Sequence, residues 1–163
     1  MAAVWDTTLV SRIHPKSEVL DYVVDEAATG DLVRVAAPAV LEVVYGYQLK
    51  AAADSRFREL LNWFTRFVAS AALSVVPLDG RAATVAGQMR GESPHSPPKQ
   101  GRDRRSKTMR QASWLMDIEI AAIAFAAGLD VATDNRADFD RLGDVLSTLY
   151  PDAPGLAVVD PPV

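Results

Sequence analysis

With 163 residues, 49% of them hydrophobic and 23% charged, the chain is long enough to bury a core as a single domain, 1–163, and its composition excludes a disordered or fibrous protein. A net charge of −4 gives no global attraction for nucleic acid, so any such binding must come from a local patch. The absence of cysteine excludes disulfides, thiolate nucleophiles and cysteine-based zinc sites and fits a reducing cytoplasm, while the opening Met1-Ala2-Ala3-Val4-Trp5-Asp6 lacks the basic and apolar segments of a signal peptide.

Ala2 to Trp5 is a short apolar run that reads as a first strand delivering Asp6 to its carboxyl end. Residues 16–29 repeat Val19, Leu20, Val23, Val24 and Ala27 at helical spacing, and Gly30 ends that helix. Leu32 to Ala37 is the next strand, and Pro38 fits the first turn of a helix whose apolar faces come from Val40, Leu41, Val43, Val44 and Leu49, with Glu42 a lone acid among them. Asp54 and Ser55 offer a cap for a further helix with a broad apolar face of Phe57, Leu60, Leu61, Phe64, Phe67 and Val68, read as core or dimer surface. Leu73 to Pro77 is a third strand, and Asp79 caps a helix reaching about Met89.

From about 91 to 108 the character changes. Ser93-Pro94-His95-Ser96-Pro97-Pro98 breaks regular structure, and the following residues to Lys107 are basic and read as a flexible excursion within the domain. A helix then starts at Asp117, where a carboxylate suits the orphan N–H groups of the first turn, and closes at Gly128. It carries Glu119, read as a surface charge, and is too short to span a bilayer. Leu129 to Thr133 reads as a buried strand, followed by a polar turn with Asp134, Asn135 and Asp138. Phe139 and Leu142 pack a short helix back on the sheet, and either Val145 to Tyr150 or Leu156 to Val159 adds an edge strand. Strands alternating with helices in this order predict a three-layer α/β/α sandwich with a central, mainly parallel sheet.

That topology brings Asp6, Glu42, Asp117 and the 134–138 turn to one end of the sheet. Clustered carboxylates repel one another and are costly to desolvate, so such a group is best sustained by a hard divalent cation, Mg²⁺ or Mn²⁺. A cation held this way can lower the pKa of bound water and stabilise a phosphoryl transition state. Each acid has a plainer reading: Asp6 a turn former, Glu42 half of a salt bridge, Asp117 a helix cap.

Four blocks in order, Val4-Trp5-Asp6-Thr7-Thr8, Pro38-Ala39-Val40-Leu41-Glu42, Asp117-Ile118-Glu119-Ile120-Ala121-Ala122 and Ala132-Thr133-Asp134-Asn135-Arg136-Ala137-Asp138-Phe139, weigh against those readings. In them the chain resembles the PIN-domain ribonucleases, specifically the VapC-type toxins of bacterial toxin–antitoxin pairs. The resemblance implies a PIN-like fold and a metal-dependent endoribonuclease of the cytoplasm that cleaves cellular RNA, uses Mg²⁺ or Mn²⁺, pairs with a small antitoxin and forms a homodimer. It carries Asp6, Glu42 and Asp117 over as the catalytic, metal-holding acids, with Thr8 and Thr133 in support. Where the family has a fourth acid this chain has Asn135, and Asp134 and Asp138 are the substitutes. The basic residues Arg102, Arg104, Arg105 and Lys107 are candidates for RNA-backbone contact. A non-catalytic PIN-like binding partner remains the alternative. A haloacid-dehalogenase-like phosphatase is remote, because it needs a second Asp where Thr8 stands.

Overall fold

The computed structural model describes residues 2–98, 101 and 103–163. Twelve elements follow one another: β1 (Ala3–Trp5), α1 (Thr7–Val10), α2 (Glu18–Thr29), β2 (Val33–Ala36), α3 (Ala37–Ala51), α4 (Ser55–Ala69), β3 (Leu73–Val76), α5 (Gly80–Glu92), α6 (Lys107–Ala127), β4 (Asp130–Ala132), α7 (Arg136–Leu149) and β5 (Val158–Val159). The strands form one sheet in the order β3-β2-β1-β4-β5, and every neighbouring pair is parallel.

Both faces of the central strands are covered. Successive strand residues point to opposite faces, yet Val4 and Trp5, and Val131 and Ala132, are all buried. On one face the Trp5 ring stacks on Tyr22 of α2, 6.0 Å away and 19° from parallel. α6 packs against β2 and β4, and its second half, Ile120 to Ala124, is buried at every residue. Three alanines in that stretch leave room for neighbouring elements to approach closely. The aromatics of α4 face α3 and one another: Trp63 stacks on Phe67 at 5.2 Å, and Tyr47 meets Phe64 edge-on. They are packing residues.

Local chemistry sets the helix ends. Gly30 and Gly128 close α2 and α6 in the left-handed conformation, with φ of 87° and 66°, which glycine adopts without a Cβ penalty. Ser17, Asp54 and Asp79 each cap the helix that follows through a side-chain oxygen.

Three expectations change. The helix expected to start at Asp117 starts instead at Lys107, with the Ser106 hydroxyl oxygen accepting from the Met109 N–H at 3.1 Å. Lys, Met, Arg, Gln and Ala are strong helix formers, so their charge marks a solvated helix face and not a loop. The non-helical excursion is therefore shorter than 91–108, because α5 runs to Glu92 and α6 starts at Lys107. Nor is its first half loose: the indole N–H of Trp114 donates to Ser93 O at 3.0 Å, Gln111 Nε2 donates to Pro94 O at 2.8 Å, and the Ser96 N–H donates to Gln111 Oε1 at 3.1 Å. Finally, Val145 to Leu149 belongs to α7, so of the two edge-strand candidates the second forms, as β5.

The strand order decides where a site can lie. The chain proceeds from β1 outward through β2 and β3, then crosses back to place β4 on the other side of β1. The crevice at the carboxyl ends of β1 and β4 is the topological switch point, where open parallel sheets bind their ligands.

Candidate active site

Asp6 is the first residue past β1 and sits in that crevice. It is the N-cap of α1, accepting from the N–H groups of Thr8 at 3.0 Å and Leu9 at 3.3 Å. Its oxygens also take two hydroxyls, Thr8 Oγ1 on Oδ1 at 2.7 Å and Thr133 Oγ1 on Oδ2 at 2.6 Å. Each hydroxyl in turn accepts an N–H from the turn after β4: Thr8 from Asp134 at 3.1 Å, Thr133 from Asn135 at 2.8 Å. The carboxylate is thus bolted to both strands flanking the switch point. Burial still pushes its pKa upward, against the lowering effect of these hydrogen bonds.

Glu42 lies on α3, which follows directly from β2. Its Oε2 accepts a short hydrogen bond of 2.5 Å from the hydroxyl of Thr7. Thr7 was missed in the sequence: its neighbour Thr8 holds Asp6 while Thr7 turns to Glu42. Burial raises the Glu42 pKa, the Thr7 hydroxyl opposes that rise, and the negative charge of Asp6 adds to it.

Asp117 sits in the interior of α6, not at its start, so it has no orphan N–H groups to accept from. Its pKa is pushed up to about 8, first by burial and then by the charges of Asp138, Asp6 and Glu42, with Arg105 acting in the opposite direction. Four carboxylates, one just past β1 and the others on α3, α6 and α7, therefore share one electrostatic field. Glu119 is half-buried elsewhere on α6, where burial also raises its pKa, and it takes no part in this field.

The three fourth-acid candidates separate. Asp138, in the first turn of α7, and Asn135 both line a cleft of about 240 Å³ with Asp117, and Asn135 Nδ2 donates to Asp138 Oδ2 at 3.0 Å. Asp134 instead faces outward, half-exposed and paired with Arg12 at 3.4 Å. Of the basic candidates, Arg105 lines the same cleft, its guanidinium forked onto Asp103, whose carboxyl is held down to about 2 by that contact. Arg104 and Lys107 are exposed and form no ion pair among the described residues, while Arg102 lies outside them. Arg110 and Ser113, which the sequence reading did not single out, complete the wall beside Arg105. Once α6 is known to begin at Lys107, the spacing of Arg110, Ser113, Trp114 and Asp117 marks one helix face, and that was the available signal.

The donor set suits a hard divalent cation: oxygen ligands, excess negative charge, and one carboxyl destabilised as an anion by its acidic neighbours. Among the described residues no group of three or more His, Asp or Glu side chains is set at once to hold a metal ion. The fit is thus of chemistry and charge, with the side chains still apart. No helix among the described residues is long and apolar enough to cross a membrane.

No protein-family model and no curated protein matches the sequence. Solved structures do match over nearly the whole chain. A chain of VapBC2 from Rickettsia felis, bound to a DNA fragment from its promoter, is 17% identical with a TM-score of 0.59, covering 98% of each chain. DNA-bound VapBC from Salmonella typhimurium is 22% identical with a TM-score of 0.57, again covering 98% of each. FitAcB from Neisseria gonorrhoeae is 20% identical with a TM-score of 0.60, covering 96% of this chain and 95% of that one. Identities this low speak for the backbone alone, and at that level the chain has a PIN-like α/β/α fold, shared from end to end with chains of VapBC and FitAcB complexes.

Proposed function

We propose that the protein is a metal-dependent endoribonuclease and the toxin of a toxin–antitoxin pair, acting on cellular RNA in the cytoplasm. The observation that carries this reading is the convergence of Asp6, Glu42, Asp117 and Asp138 at the switch point, where burial first and then the other three charges lift Asp117 to about 8. Asp6, Glu42 and Asp117 would hold Mg²⁺ or Mn²⁺, with Asp138 and Asn135 lining the cleft beside Asp117. Such a cation supplies an acidified water and neutralises charge on a backbone phosphate. The chain's own residues do the positioning: Thr8 and Thr133 fix the Asp6 carboxylate, and Thr7 fixes Glu42. The VapBC and FitAcB complexes that share the fold support a small antitoxin as partner.

A second reading, a PIN-like binding protein without catalysis, draws on Asn135 at the fourth position and on the separation of the carboxylates. One assay separates the two. Purified protein incubated with RNA should cleave it when Mn²⁺ is present and stop on addition of chelator. Intact RNA under Mn²⁺, from protein shown to be folded, selects the binding protein.

A further inference from the structure

Arg105, Arg110 and Ser113 line the cleft beside Asp117 and Asp138, together with Asp103. Arg105 donates through Nε and Nη2 to both oxygens of Asp103, at 3.0 to 3.2 Å, and through Nη1 to Ser113 Oγ at 3.3 Å. Arg110 donates through Nη1 to the Arg105 carbonyl at 3.0 Å. The Nε of Arg110 is buried and has no hydrogen-bond partner among the described residues. An unpaired buried donor is costly, and because this one is closed to solvent it gains a partner only when the side chain turns toward the cleft that Arg110 lines.

Among the described residues neither arginine pairs with Asp117 or Asp138, and the ion pair of Arg105 is with Asp103. The cleft, about 240 Å³, is lined by both arginines and by the carboxylates of Asp103, Asp117 and Asp138. Gln111 and Trp114 also pin residues 93–96 to the same helix that carries Arg110.

We infer that Arg110, Arg105 and Ser113 form a phosphate subsite that takes one backbone phosphodiester of a single-stranded RNA and so presents the neighbouring linkage to the acidic cluster. A turn of the Arg110 side chain toward the cleft brings its unpaired Nε onto a phosphate oxygen, and the planar guanidinium of Arg105 exchanges one Asp103 oxygen for a second phosphate oxygen, the bidentate geometry for which arginine is suited. Ser113 Oγ adds a neutral donor. Of the excursion, Ser96, Pro97, Pro98, Asp103 and Arg105 are then part of the binding site. The identification of the phosphate as RNA rests on the proposed nuclease function; the anion subsite itself does not.

The test is binding of a short single-stranded oligoribonucleotide to the full chain in chelator, where no cleavage interferes, followed by fluorescence anisotropy over a range of salt. Arg110→Lys keeps the charge but removes Nε, and Arg105→Gln changes a half-exposed side chain that the fold tolerates. Each should weaken binding roughly tenfold, the scale of one charge-assisted contact, and Arg105→Gln should flatten the log–log salt slope by about 0.7. Inorganic phosphate should compete with RNA on the wild-type protein and less well on either variant. If Arg110→Lys does not fold, Arg105→Gln decides alone. Wild-type affinity and salt slope in the folded variants overturn the subsite, while Asp6-dependent cleavage would leave the nuclease reading standing. Weakened binding in the variants together with cleavage that ignores Asp6 would do the reverse.

Discussion

Thr133 donates its hydroxyl to Oδ2 of Asp6 at 2.6 Å, joining the ends of β4 and β1 across a sequence separation of 127 residues. The Thr133 hydroxyl oxygen in turn accepts the Asn135 N–H, so one buried hydroxyl couples the acid on the central strand to the turn that leads into α7. Thr133→Val keeps the shape and removes both bonds. It should cost about 1–3 kcal/mol, because it strips buried polar groups of their partner. Urea unfolding measures this; a change under about 0.5 kcal/mol means the bridge does not hold the site. Asp6 should also become harder to ionise, since this hydroxyl is the first of the hydrogen bonds that lower its pKa.

Asp117 makes stability depend on pH. Its folded-state pKa of about 8 lies above the ordinary value of 3.8, so the folded protein holds this proton more tightly than the unfolded chain. The associated stability is complete below the unfolded value and is lost as pH rises through about 8. In chelator the wild-type protein should therefore weaken between pH 5 and pH 9. Asp117→Asn should flatten that decline and exceed wild type at pH 9 by more than about 1 kcal/mol. Parallel declines in the two proteins would show that Asp117 is not the group responsible.

Divalent cation should relieve the same repulsion. At a concentration of Mn²⁺ about 100 times its dissociation constant, binding to the folded state alone adds about 2.7 kcal/mol. Thermal unfolding at pH 7 should shift upward with Mn²⁺, revert with chelator, and shift much less in Asp117→Asn. An identical shift in both proteins places the ion elsewhere.

α3 exposes an apolar stripe one residue from Glu42. Leu41, Tyr45 and Leu49 recur every four residues along one face and are 55%, 60% and 59% exposed. Large exposed apolar side chains in a row mark an interaction surface, and the expected homodimer is its proposed occupant. Replacing Leu41 and Tyr45 with lysine should leave a folded monomer by sedimentation. A dimer that survives the change does not use this face.

Much of the fold was legible because local chemistry and global topology agree. Gly30 and Gly128 stand where the chain needs a left-handed residue, and Ser17, Asp54 and Asp79 stand where helices need an acceptor. The start of α6 was misread because Lys107 to Ala112 carries little apolar signal, and its helicity comes from propensity and the Ser106 cap. The assignment of hydroxyls was not legible at all. Thr7 and Thr8 are adjacent and chemically alike, and only the position of Glu42, 35 residues away, decides that Thr7 serves it. The raised pKa of Asp117 lies equally outside the sequence, because it arises from four elements converging. Arg110 and Ser113 fall between these cases: both are in plain view, but the helix face they share with Asp117 appears only with the correct helix start.

The central claim is that the acids at the switch point hold a divalent cation that cleaves RNA. It is tested most directly by single-turnover cleavage of RNA in Mn²⁺ by wild type, Asp6→Asn and Asp117→Asn, each shown to be folded by circular dichroism. The account predicts cleavage by wild type that chelator abolishes, and a fall of more than about 100-fold in each variant, beyond the range of changes made only to groups around a metal's ligands. Cleavage by either folded variant at the wild-type rate, or wild-type cleavage that persists in chelator, would contradict it.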